Sequence, residues 1–343
     1  MNNDVQQNKQ VFSDFQKTLN RQDWSLRSLG KYLKPDIVDH TAAPGERPGI
    51  EGVHSRMAAW YAAFTDATEI NLAMVGERNV LSVLYETRAR HVGTFMGIPG
   101  TSRNVTIPGI KFVRFEDGLI AEIWGIYDYF TTALEVEAML GMTPRPPGSS
   151  VPGAGRGSGR APFLVPKAGD RAALGTGTVA TNKELLLRFR DKVFNANDWS
   201  TENLGKFLKS DIIDHNAFPG DQPGLEGVRS RFSMWQAAFD DADEVYLAVA
   251  GENDLLAVLY DLQATHSGDY LGMKATGRRV AIPGIEFLRF EGGLIAEHWG
   301  IYDFKATASE IGAELTFMPR TMELPPKPRH PHARFVPPKE IRQ

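Results

Sequence analysis

The sequence predicts an α+β fold that is built twice, and its internal repeat is the first observation behind that prediction. Residues 36–52, DIVDHTAAPGERPGIEG, recur 175 positions later as DIIDHNAFPGDQPGLEG in residues 211–227. The same shift aligns residues 24–128 with 199–303 without an insertion or deletion, and more than half of the aligned residues are identical. Solenoid repeats are shorter, about 20–50 residues, and need several copies. We therefore predict two homologous domains, residues 1–141 and 181–318.

The second observation is the order of patterns within each unit, where helical spacing comes first and strand patterning follows. In the first unit, apolar residues at helical spacing predict helices over 8–20, 25–34, 51–64 and 129–140, with a polar loop at 35–50. Apolar runs predict strands near 70–75, 81–85, 105–115 and 119–127. Helices followed by consecutive antiparallel strands are typical of an α+β fold. We expect a curved sheet that wraps around helices as a cone-shaped barrel, with the prolines of the repeated IPG (107–109, 282–284) at a bulge or bend.

Composition and charge exclude several classes of protein. The chain has 343 residues, 38 basic and 42 acidic, and a net charge of −4, so a nucleic-acid partner is not expected. It contains no cysteine, which excludes disulfides and thiolate chemistry. The start of the chain lacks the apolar core of a signal peptide, and no apolar run reaches the ~18 residues of a membrane helix. These features predict a cytoplasmic protein without a membrane partner.

Two segments rich in proline and glycine follow the two units, residues 142–180 and 319–343. Composition favours a disordered linker for the first of them. An alternative comes from the similarity of APFLVPK (161–167) to ARFVPPK (333–339). In that interpretation each unit ends in an ordered, extended arm, and Phe163 and Phe335 dock the arms on a domain surface.

The last predicted strand carries the first candidate catalytic residue. It reads AEIWGIYD at 121–128 and AEHWGIYD at 296–303. Alternation places Glu122, Trp124 and Asp128 on one face. A desolvated aspartate has a raised pKa and is a better base, which favours a catalytic role for Asp128 and Asp303. The alternative is an aspartate that caps the helix beginning at residue 129.

The strand YETRARHVGTFMG (85–97) and its copy YDLQATHSGDYLG (260–272) carry a second candidate. His91 shares a face with Tyr85, and His266 shares a face with Tyr260. A neutral histidine that faces a polar pocket can donate a hydrogen bond to a developing oxyanion. A histidine that only fixes the end of a strand is an equally common structure.

The repeated loop carries Asp36, Asp39 and His40, with Asp214 and His215 at the equivalent places in the second copy. Their spacing matches no standard metal motif, so no metal site is predicted. We interpret the loop as part of a pocket mouth, where these aspartates and histidines reach the ligand.

Five motifs occur in the same order in both copies: DxxDHxxxPG, GxEG, HxGxFxG (with Tyr270 in place of Phe95 in the second copy), a TxR turn and RFxxGxIxExWxxxD. This string resembles the SnoaL-like polyketide cyclases of the NTF2-like superfamily, over about residues 30–130 and 205–305. The resemblance implies two tandem cone-shaped α+β barrels with apolar pockets, forming a pseudo-dimer in one chain, with further homo-oligomers open. It implies no metal, flavin or nicotinamide cofactor. It also implies that Asp128 and Asp303 act as general acid/base and that His91 and His266 assist at the substrate carbonyl.

The function expected from this resemblance is aldol-type cyclisation of an apolar, aromatic or polyketide-like small molecule. The same groups can run the aldol reaction backwards, so a carbon–carbon lyase that releases an aldehyde, a dehydratase and an isomerase stay open. A non-catalytic protein that binds a hydrophobic ligand is the alternative from another class. The aromatic side chains expected to bind the substrate are Trp60, Trp124, Trp235, Trp299, Tyr85 and Tyr260.

The two copies differ at one conspicuous position, where the second has His298 and the first has Ile123. Alternation puts residue 123 on the face opposite Asp128. We therefore expect this difference to concern an interface and not the pocket.

Overall fold

The structure is a computed structural model that describes residues 3–42, 45–146, 162–166, 174, 177–217 and 221–319. The chain divides into two compact units, Met1–Gly141 with Thr316–Met322, and Met142–Leu315 with Glu323–Gln343. Both combine helices with a five-stranded sheet, and the predicted α+β fold is confirmed.

The first half of the chain contains four helices and six strands within the described residues. The helices are α1 (Asn3–Asn20), α2 (Leu26–Leu29), α3 (Gly49–Ala63) and α4 (Tyr129–Glu135). The strands are β1 (Leu33–Asp39), β2 (Phe64–Glu77), β3 (Val80–His91), β4 (Asn104–Glu116), β5 (Leu119–Tyr127) and β6 (Ala138–Pro144).

The sheet of the first unit has the strand order β1-β5-β4-β3-β2. Strands β2 to β5 are consecutive antiparallel neighbours, as predicted, whereas β1 pairs in parallel with β5. Because β1 and β2 occupy the two edges, the sheet is open within the described residues.

Strand β1 lies where the sequence predicted the end of a helix and a polar loop. Its sequence, LKPDIVD, contains a proline and three charged residues, which hide the strand pattern. Only Leu33 and Ile37 are buried. The strand is nevertheless possible because it lies at the edge of the sheet, where a proline removes no hydrogen bond that the sheet needs.

The last helix of the unit is shorter than predicted. Helix α4 ends at Glu135, and Glu137 adopts a left-handed backbone with φ 61° before β6 begins. Gly312, with φ 82°, occupies the equivalent position in the second half. A left-handed residue ends a helix, so the apolar residues from Ala138 to Leu140 continue as a strand.

The proline of the first IPG does not mark a bulge. The register of β3 against β4 runs through Pro108 without a shift. The carbonyl of Pro108 accepts a hydrogen bond from the backbone N–H of Asp128, immediately after β5 ends. The N–H and C=O of one residue in an antiparallel strand point to the same side. An N–H at position 108 would therefore point towards β5 beyond its last residue, so the proline removes no hydrogen bond of the sheet.

One face of the sheet packs against α1 and α3, and we call it the inner face. Phe12, Phe15 and Leu19 of α1 belong to one buried cluster with Val83 and Val113 of the sheet. Burying a side chain of this size stabilises the fold by about 1.5–3 kcal/mol. A second cluster on this face joins Phe64 and Ile107 to Ala133 of α4. The inner face is therefore the core of the unit.

The second half repeats these elements. The helices are α5 (Gly177–Phe189), a π-helix (Arg190–Phe194), α6 (Thr201–Leu204), α7 (Gly224–Gln236) and α8 (Phe304–Ile311). The strands are β7 (Leu208–Asp214), β8 (Asp243–Glu252), β9 (Leu255–Thr265), β10 (Arg279–Glu291), β11 (Leu294–Tyr302) and β12 (Ala313–Pro319). The sheet order, β7-β11-β10-β9-β8, matches that of the first unit.

Residues 162–166 of the proline-rich segment pair with the edge strand β8. The N–H of Phe163 donates to the carbonyl of Leu247 (2.9 Å), and the N–H of Val249 donates to the carbonyl of Leu164 (2.8 Å). Leu164 is 8% exposed and Phe163 is 40% exposed. The prediction that Phe163 docks is thus corrected, because Leu164 supplies the buried side chain. Phe335 lies outside the described residues.

Candidate functional site

A tyrosine row crosses the inner face of the first unit at the repeated IPG. Tyr85 of β3 pairs in register with Gly109 of β4, which pairs with Tyr127 of β5. A Cβ atom on Gly109 would lie 2.3 Å from the Tyr85 hydroxyl oxygen, so the ring occupies the space above this glycine. The Tyr85 hydroxyl is buried and has no hydrogen-bond partner among the described residues. Burial raises the pKa of Tyr85 well above its usual value, so the hydroxyl is a neutral donor.

The second unit has the same row, formed by Tyr260, Gly284 and Tyr302. The two tyrosine rings are 6.3 Å apart between centroids, with planes at 80°. Trp235 of α7 lies 6.5 Å from Tyr302 and 4.6 Å from Phe239. The predicted binding residues Trp235 and Tyr260 therefore share one aromatic wall.

Trp60, the counterpart of Trp235, packs against Phe64 with ring centroids 4.8 Å apart. It belongs to the edge of the inner cluster that contains Tyr127. The aromatic residues predicted on α3 and on β3 thus both belong to the inner face.

His91 ends β3 on this same face. Its ring lies 5.1 Å from the ring of Phe64. The Nδ1 atom lies 3.2 Å from the hydroxyl of Thr101 and accepts from the Thr101 backbone N–H at 3.4 Å, which assigns the proton of the neutral ring to Nε2. Nε2 is buried without a hydrogen-bond partner among the described residues. Burial lowers the pKa of His91, so the ring is a neutral donor.

His266 repeats this environment in the second unit. Its Nδ1 atom lies 3.0 Å from the hydroxyl of Thr276, and its ring lies 5.4 Å from Phe239. Its Nε2 atom is also buried without a partner among the described residues. Burial lowers the pKa of His266 as well. A buried donor that no described residue satisfies is costly, and a bound oxygen would satisfy it.

Asp128 follows β5 and caps helix α4. Its Oδ1 atom accepts from the backbone N–H of Thr131 at 2.9 Å, and its Oδ2 atom accepts from the Thr131 hydroxyl. Burial raises the pKa of Asp128, although both contacts with Thr131 lower it. The capping alternative is therefore present in the structure, together with a carboxyl group that is a stronger base than an exposed aspartate. No hydrogen bond or ion pair between Asp128 and His91 is found in the described part of the chain.

Asp303 caps α8 in the same way, through the N–H of Ala306 at 2.8 Å. Ala306 stands where the first unit has Thr131 and offers no hydroxyl group. The contact between the Thr131 hydroxyl and Asp128 therefore has no equivalent from Ala306.

The loop aspartates form ion pairs. Asp39 contacts Arg56 through Oδ2 at 2.5 Å, and its Oδ1 atom accepts from the N–H of Thr41. Asp214 pairs with Arg231 in the second unit. Burial lowers the pKa of the Arg231 guanidinium to about 10. The charge on each predicted binding aspartate is thus already compensated by an arginine.

The other residues predicted at the pocket mouth lie on the opposite face of the sheet, the outer face. His40 stacks on Trp124 with ring centroids 4.1 Å apart, and its Nε2 atom lies 2.8 Å from Glu122. Trp124 alternates with Ile123 and Tyr127, which belong to the inner face. His215, Trp299 and Glu297 repeat this arrangement, with a ring distance of 4.4 Å. The predicted substrate-binding set is therefore divided between two faces of the sheet.

The inner faces of the two units carry different charges. In the first, Lys111 of β4 forms a buried ion pair with Glu69 of β2, and its ammonium lies 4.0 Å from the centre of the Tyr85 ring. In the second, Glu286 replaces the lysine, and Glu244 stands in place of Glu69. The first pair is neutral, whereas the second consists of two carboxyl groups.

His298 belongs to this inner face of the second unit. Its Nε2 atom lies 3.1 Å from Glu286, and its Nδ1 atom lies 3.2 Å from Asp214. The expectation that the His298/Ile123 difference concerns an interface is therefore wrong. Residues 123 and 298 alternate with the outer-face tryptophans, and the inner face is the one that carries the tyrosine row.

Four charged residues of the inner faces were not predicted from the sequence: Glu69, Lys111, Glu244 and Glu286. A usable signal was the charged residue in the apolar runs IPGIKFVRF and IPGIEFLRF, where the two copies carry opposite charges. A charged side chain within a buried strand needs a partner, and its sign change between copies indicates that the partner also differs.

Three further features limit the kinds of site. Within the described ranges, no group of three or more His, Cys, Asp or Glu residues is arranged to hold a metal ion. No described helix is long and apolar enough to cross a membrane. A cleft of about 460 Å³ is lined by residues of α1 and the β2–β3 and β4–β5 turns, among them Asn8, Arg78 and Glu116, and it contains none of the predicted site residues.

The fold, with a five-stranded sheet whose inner face carries a histidine and two tyrosines, is that of the NTF2-like superfamily. The sequence model of the SnoaL-like polyketide cyclases matches residues 9–136 and again 184–311, well over half of the chain. The chain belongs to this family, as a tandem duplication. The resemblance found in the sequence is confirmed.

Several solved structures are similar to one unit of the chain. TsrD from Streptomyces laurentii is 22% identical and covers 40% of this chain and 98% of its own, with a TM-score of 0.36. IdmH from Streptomyces antibioticus is 24% identical over 38% of this chain and 98% of its own, with a TM-score of 0.35. A SnoaL-like polyketide cyclase from Agrobacterium tumefaciens is 18% identical over 38% and 97%, with a TM-score of 0.33. No curated protein sequence matches the chain at a significant level.

Proposed function

We propose that the protein is a cofactor-independent cyclase that uses aspartate and histidine as acid/base groups on an apolar, aromatic or polyketide-like substrate. Membership of the cyclase family supports the class of reaction. The observation that carries the proposal is the buried Nε2 atom of His91 and of His266, which has no hydrogen-bond partner among the described residues. Both domains retain this donor on an aromatic inner face.

The proposed reaction begins with proton transfer. The carboxylate of Asp128, or of Asp303, removes a proton from a carbon beside a substrate carbonyl. Burial raises the pKa of Asp128, which brings the base closer to the pH at which it works. A carboxylate has about four lone-pair positions, so the two contacts with Thr131 leave room to accept this proton.

The enolate that results needs a hydrogen-bond donor at its oxygen. The neutral ring of His91 or His266 supplies it through Nε2–H, at no cost in breaking another hydrogen bond. The enolate carbon then attacks a second carbonyl carbon of the same molecule and forms the ring bond. The alkoxide takes the proton back from the aspartic acid, so the product is an isomer of the substrate, or has one water less if the new hydroxyl leaves.

The inner-face tyrosines complete the site. The hydroxyl of Tyr85 is a second buried donor without a partner among the described residues. The rings of Tyr85, Tyr127 and Trp60 present an apolar wall against which a planar substrate can stack. An aromatic or polyketide-like compound combines the flat apolar surface and the carbonyl oxygens that these groups would bind.

Mass spectrometry of reactions with a panel of aromatic polyketones and phenolic compounds tests this function. We expect a product isomeric with its substrate or lacking one water, formed by the wild type and lost in the double variant Asp128→Asn with Asp303→Asn. The double variant should keep its affinity for the substrate, measured by calorimetry. Release of a small aldehyde would replace cyclisation by the reverse aldol reaction. Tight binding with every compound recovered unchanged would contradict an enzyme and indicate a binding protein.

A further inference from the structure

The strongest unassigned feature is the pair of carboxyl groups inside the second unit. Glu244 of β8 is in register with Leu262 of β9, and Glu286 of β10 is in register with Val258. Both glutamates lie on the inner face, on the strands that flank the one carrying Tyr260. Glu244 is 2% exposed and Glu286 is 9% exposed.

The carboxyl group of Glu244 lacks the partners that a buried charge needs. Neither oxygen atom of its side chain makes a hydrogen bond of acceptable geometry within the described residues. Burial raises the pKa of Glu244 well above its usual value, and the negative charge of Glu286 raises it further. Two adjacent buried carboxyl groups cannot both ionise cheaply, so the pair holds one proton between them.

The groups that face Glu244 come from each neighbouring element. The contact with Tyr246 lowers its pKa, and the positive charge of Arg190 in the π-helix lowers it further, but each effect is smaller than that of the negative charge of Glu286. The backbone N–H of Glu244 donates to Asn195 at 3.0 Å. The titratable and charged groups around the carboxyl are Arg190, Tyr246, Tyr260, Glu286 and Tyr302.

A chain of polar contacts fixes Glu286 from the other side. His298 lies 3.1 Å from Glu286 and 3.2 Å from Asp214, and Asp214 pairs with Arg231. Gly300 is in register with Glu286, and the His298 ring occupies the space above this glycine, where a Cβ atom would lie 2.8 Å from Nε2. The pair is therefore held on one side by a histidine and borders the tyrosine row on the other.

The first unit lacks this arrangement at the equivalent positions. Lys111 neutralises Glu69 there. Ile123 stands in place of His298 and cannot form the polar contacts that His298 makes in the second unit. The repeat therefore offers an internal comparison, because the two domains share the tyrosine row, the capping aspartate and the histidine but not the carboxyl pair.

We propose that the Glu244–Glu286 pair is a second proton-transfer site, specific to the second domain, that serves a neutral, oxygen-bearing substrate held against Tyr260 and Tyr302. The shared proton passes to a carbonyl or hydroxyl oxygen of the substrate and returns to the pair when the product forms, so protons balance over a cycle. Two carboxyl groups that carry one negative charge disfavour an anionic substrate. The substrate in this proposal rests on the proposed function, whereas the proton held by the Glu244–Glu286 pair does not depend on it.

Infrared difference spectroscopy in H2O and D2O at neutral pH tests the shared proton without any substrate. We expect the C=O stretching band of a protonated carboxyl group in the wild type and its loss in Glu244→Gln. Glu286→Gln should keep the band, because Glu244 stays buried and burial is the larger cause of its raised pKa. Glu244→Met is the second variant if Glu244→Gln does not fold. The control is the double variant Glu69→Gln with Lys111→Met, which removes the equivalent pair of the first unit and should keep the band. Identical spectra of wild type and Glu244→Gln would overturn the proposal.

Turnover of a compound identified by the substrate panel tests the transfer step. Glu244→Gln should lower kcat by about 10²-fold or more, the usual contribution of a positioned acid or base. The control Glu202→Gln, at an exposed carboxyl group, should stay within about threefold of the wild type. Turnover that is unaffected in Glu244→Gln would overturn this proposal and leave the cyclase function standing. If no compound reacts, the cyclase function fails, and the infrared band still decides whether the pair holds a proton.

Discussion

The ring of Tyr85 lies so close above Gly109 that a Cβ atom on the glycine would be 2.3 Å from the ring carbon that bears the hydroxyl. Tyr260 has the same relationship with Gly284, at 2.2 Å. The repeated IPG therefore keeps its glycine because an aromatic ring occupies the volume of the missing side chain. Each glycine also separates the two tyrosines of its row, so it sets the width of the aromatic wall.

Alanine at Gly109 should destabilise the first domain. The new methyl group must displace the buried Tyr85 ring, which costs about 1–3 kcal/mol in a packed core. Gly125 provides a matched control on the neighbouring strand, since a Cβ atom there meets only the Cγ atom of Lys111 at 3.7 Å. Urea unfolding should show a loss of stability for Gly109→Ala and little change for Gly125→Ala. Equal stabilities of the two variants would contradict the close packing.

Asparagine at position 128 should separate capping from catalysis. Asparagine caps helices about as well as aspartate, so α4 should keep its stability. It cannot accept a proton at the pH of the reaction, and we expect kcat from the first domain to fall by about 10²–10⁴-fold. The measurement is turnover in an Asp303→Asn background, with thermal unfolding alongside. Activity that survives in the double variant would assign the base elsewhere.

The two outer faces offer a comparison of a buried and a half-buried ion pair. Burial alone would raise the pKa of Glu297, but the hydrogen bonds from His215 and Arg289 hold it below its usual value. Removing one partner of a buried pair costs about 3–5 kcal/mol, so Glu297→Gln should be strongly destabilising. The side chain of Glu122 is 22% exposed, and Glu122→Gln should cost about 1 kcal/mol.

The stabilisation by Glu297 should also depend on pH. Because its pKa is lowered in the folded state, the contribution is present above the unfolded value of 4.5 and is lost as the pH falls through the folded value. Denaturant melts at about pH 7 and about pH 4 should therefore show a difference between wild type and Glu297→Gln that shrinks in acid. A difference that grows in acid would contradict the assignment.

Glu244 should show the opposite dependence on pH. Its pKa is raised in the folded state, so its contribution to stability is complete below the unfolded value of 4.5 and is lost as the pH rises through the folded value. Glu244→Gln cannot ionise and escapes this loss, so it should gain stability relative to the wild type between about pH 5 and pH 8. Each unit of pKa shift corresponds to about 1.4 kcal/mol. Glu202→Gln, at an exposed carboxyl group, is the control and should show no such trend.

Proline at Leu164 should release residues 162–166 from the edge of β8. The substitution removes the N–H that donates to Leu247 and the side chain that is 8% exposed. Limited proteolysis should then cut this segment faster than in the wild type. Phe163→Ala is the comparison, because its side chain is 40% exposed and should matter less. Faster cutting of Phe163→Ala than of Leu164→Pro would restore the original expectation.

Several parts of the site could be predicted from the sequence because they depend on local patterns. Strand alternation alone places Tyr85 and His91 on one face, since β3 pairs with β4 without a shift. The capping of α4 by Asp128 follows from the position of the aspartate immediately before a helix. The same alternation failed for Trp124 and His298, because nothing in a single strand indicates which of its two faces meets the helices.

The positions of the buried charged residues Glu69 and Glu244 could not be predicted from such local patterns. Strand β8 carries a register shift between Tyr246 and Ala248, and β2 carries one between Asn71 and Ala73, so the inner face changes parity along each strand. Strict alternation along the sequence assigns the wrong face to residues on one side of such a shift. It therefore could not predict that Glu69 and Glu244 lie on the inner face.

The sequence by itself determined that this protein is a duplicated α+β domain of the SnoaL-like family, because an uninterrupted repeat and ordered motifs are properties of the chain. Only the tertiary structure decided which charges meet. Glu244, Glu286 and His298 come from three different strands, and their proximity results from the register of the sheet and not from sequence spacing. The raised pKa of Glu244 follows from burial and from the negative charge of Glu286, which act on it only once the strands are assembled.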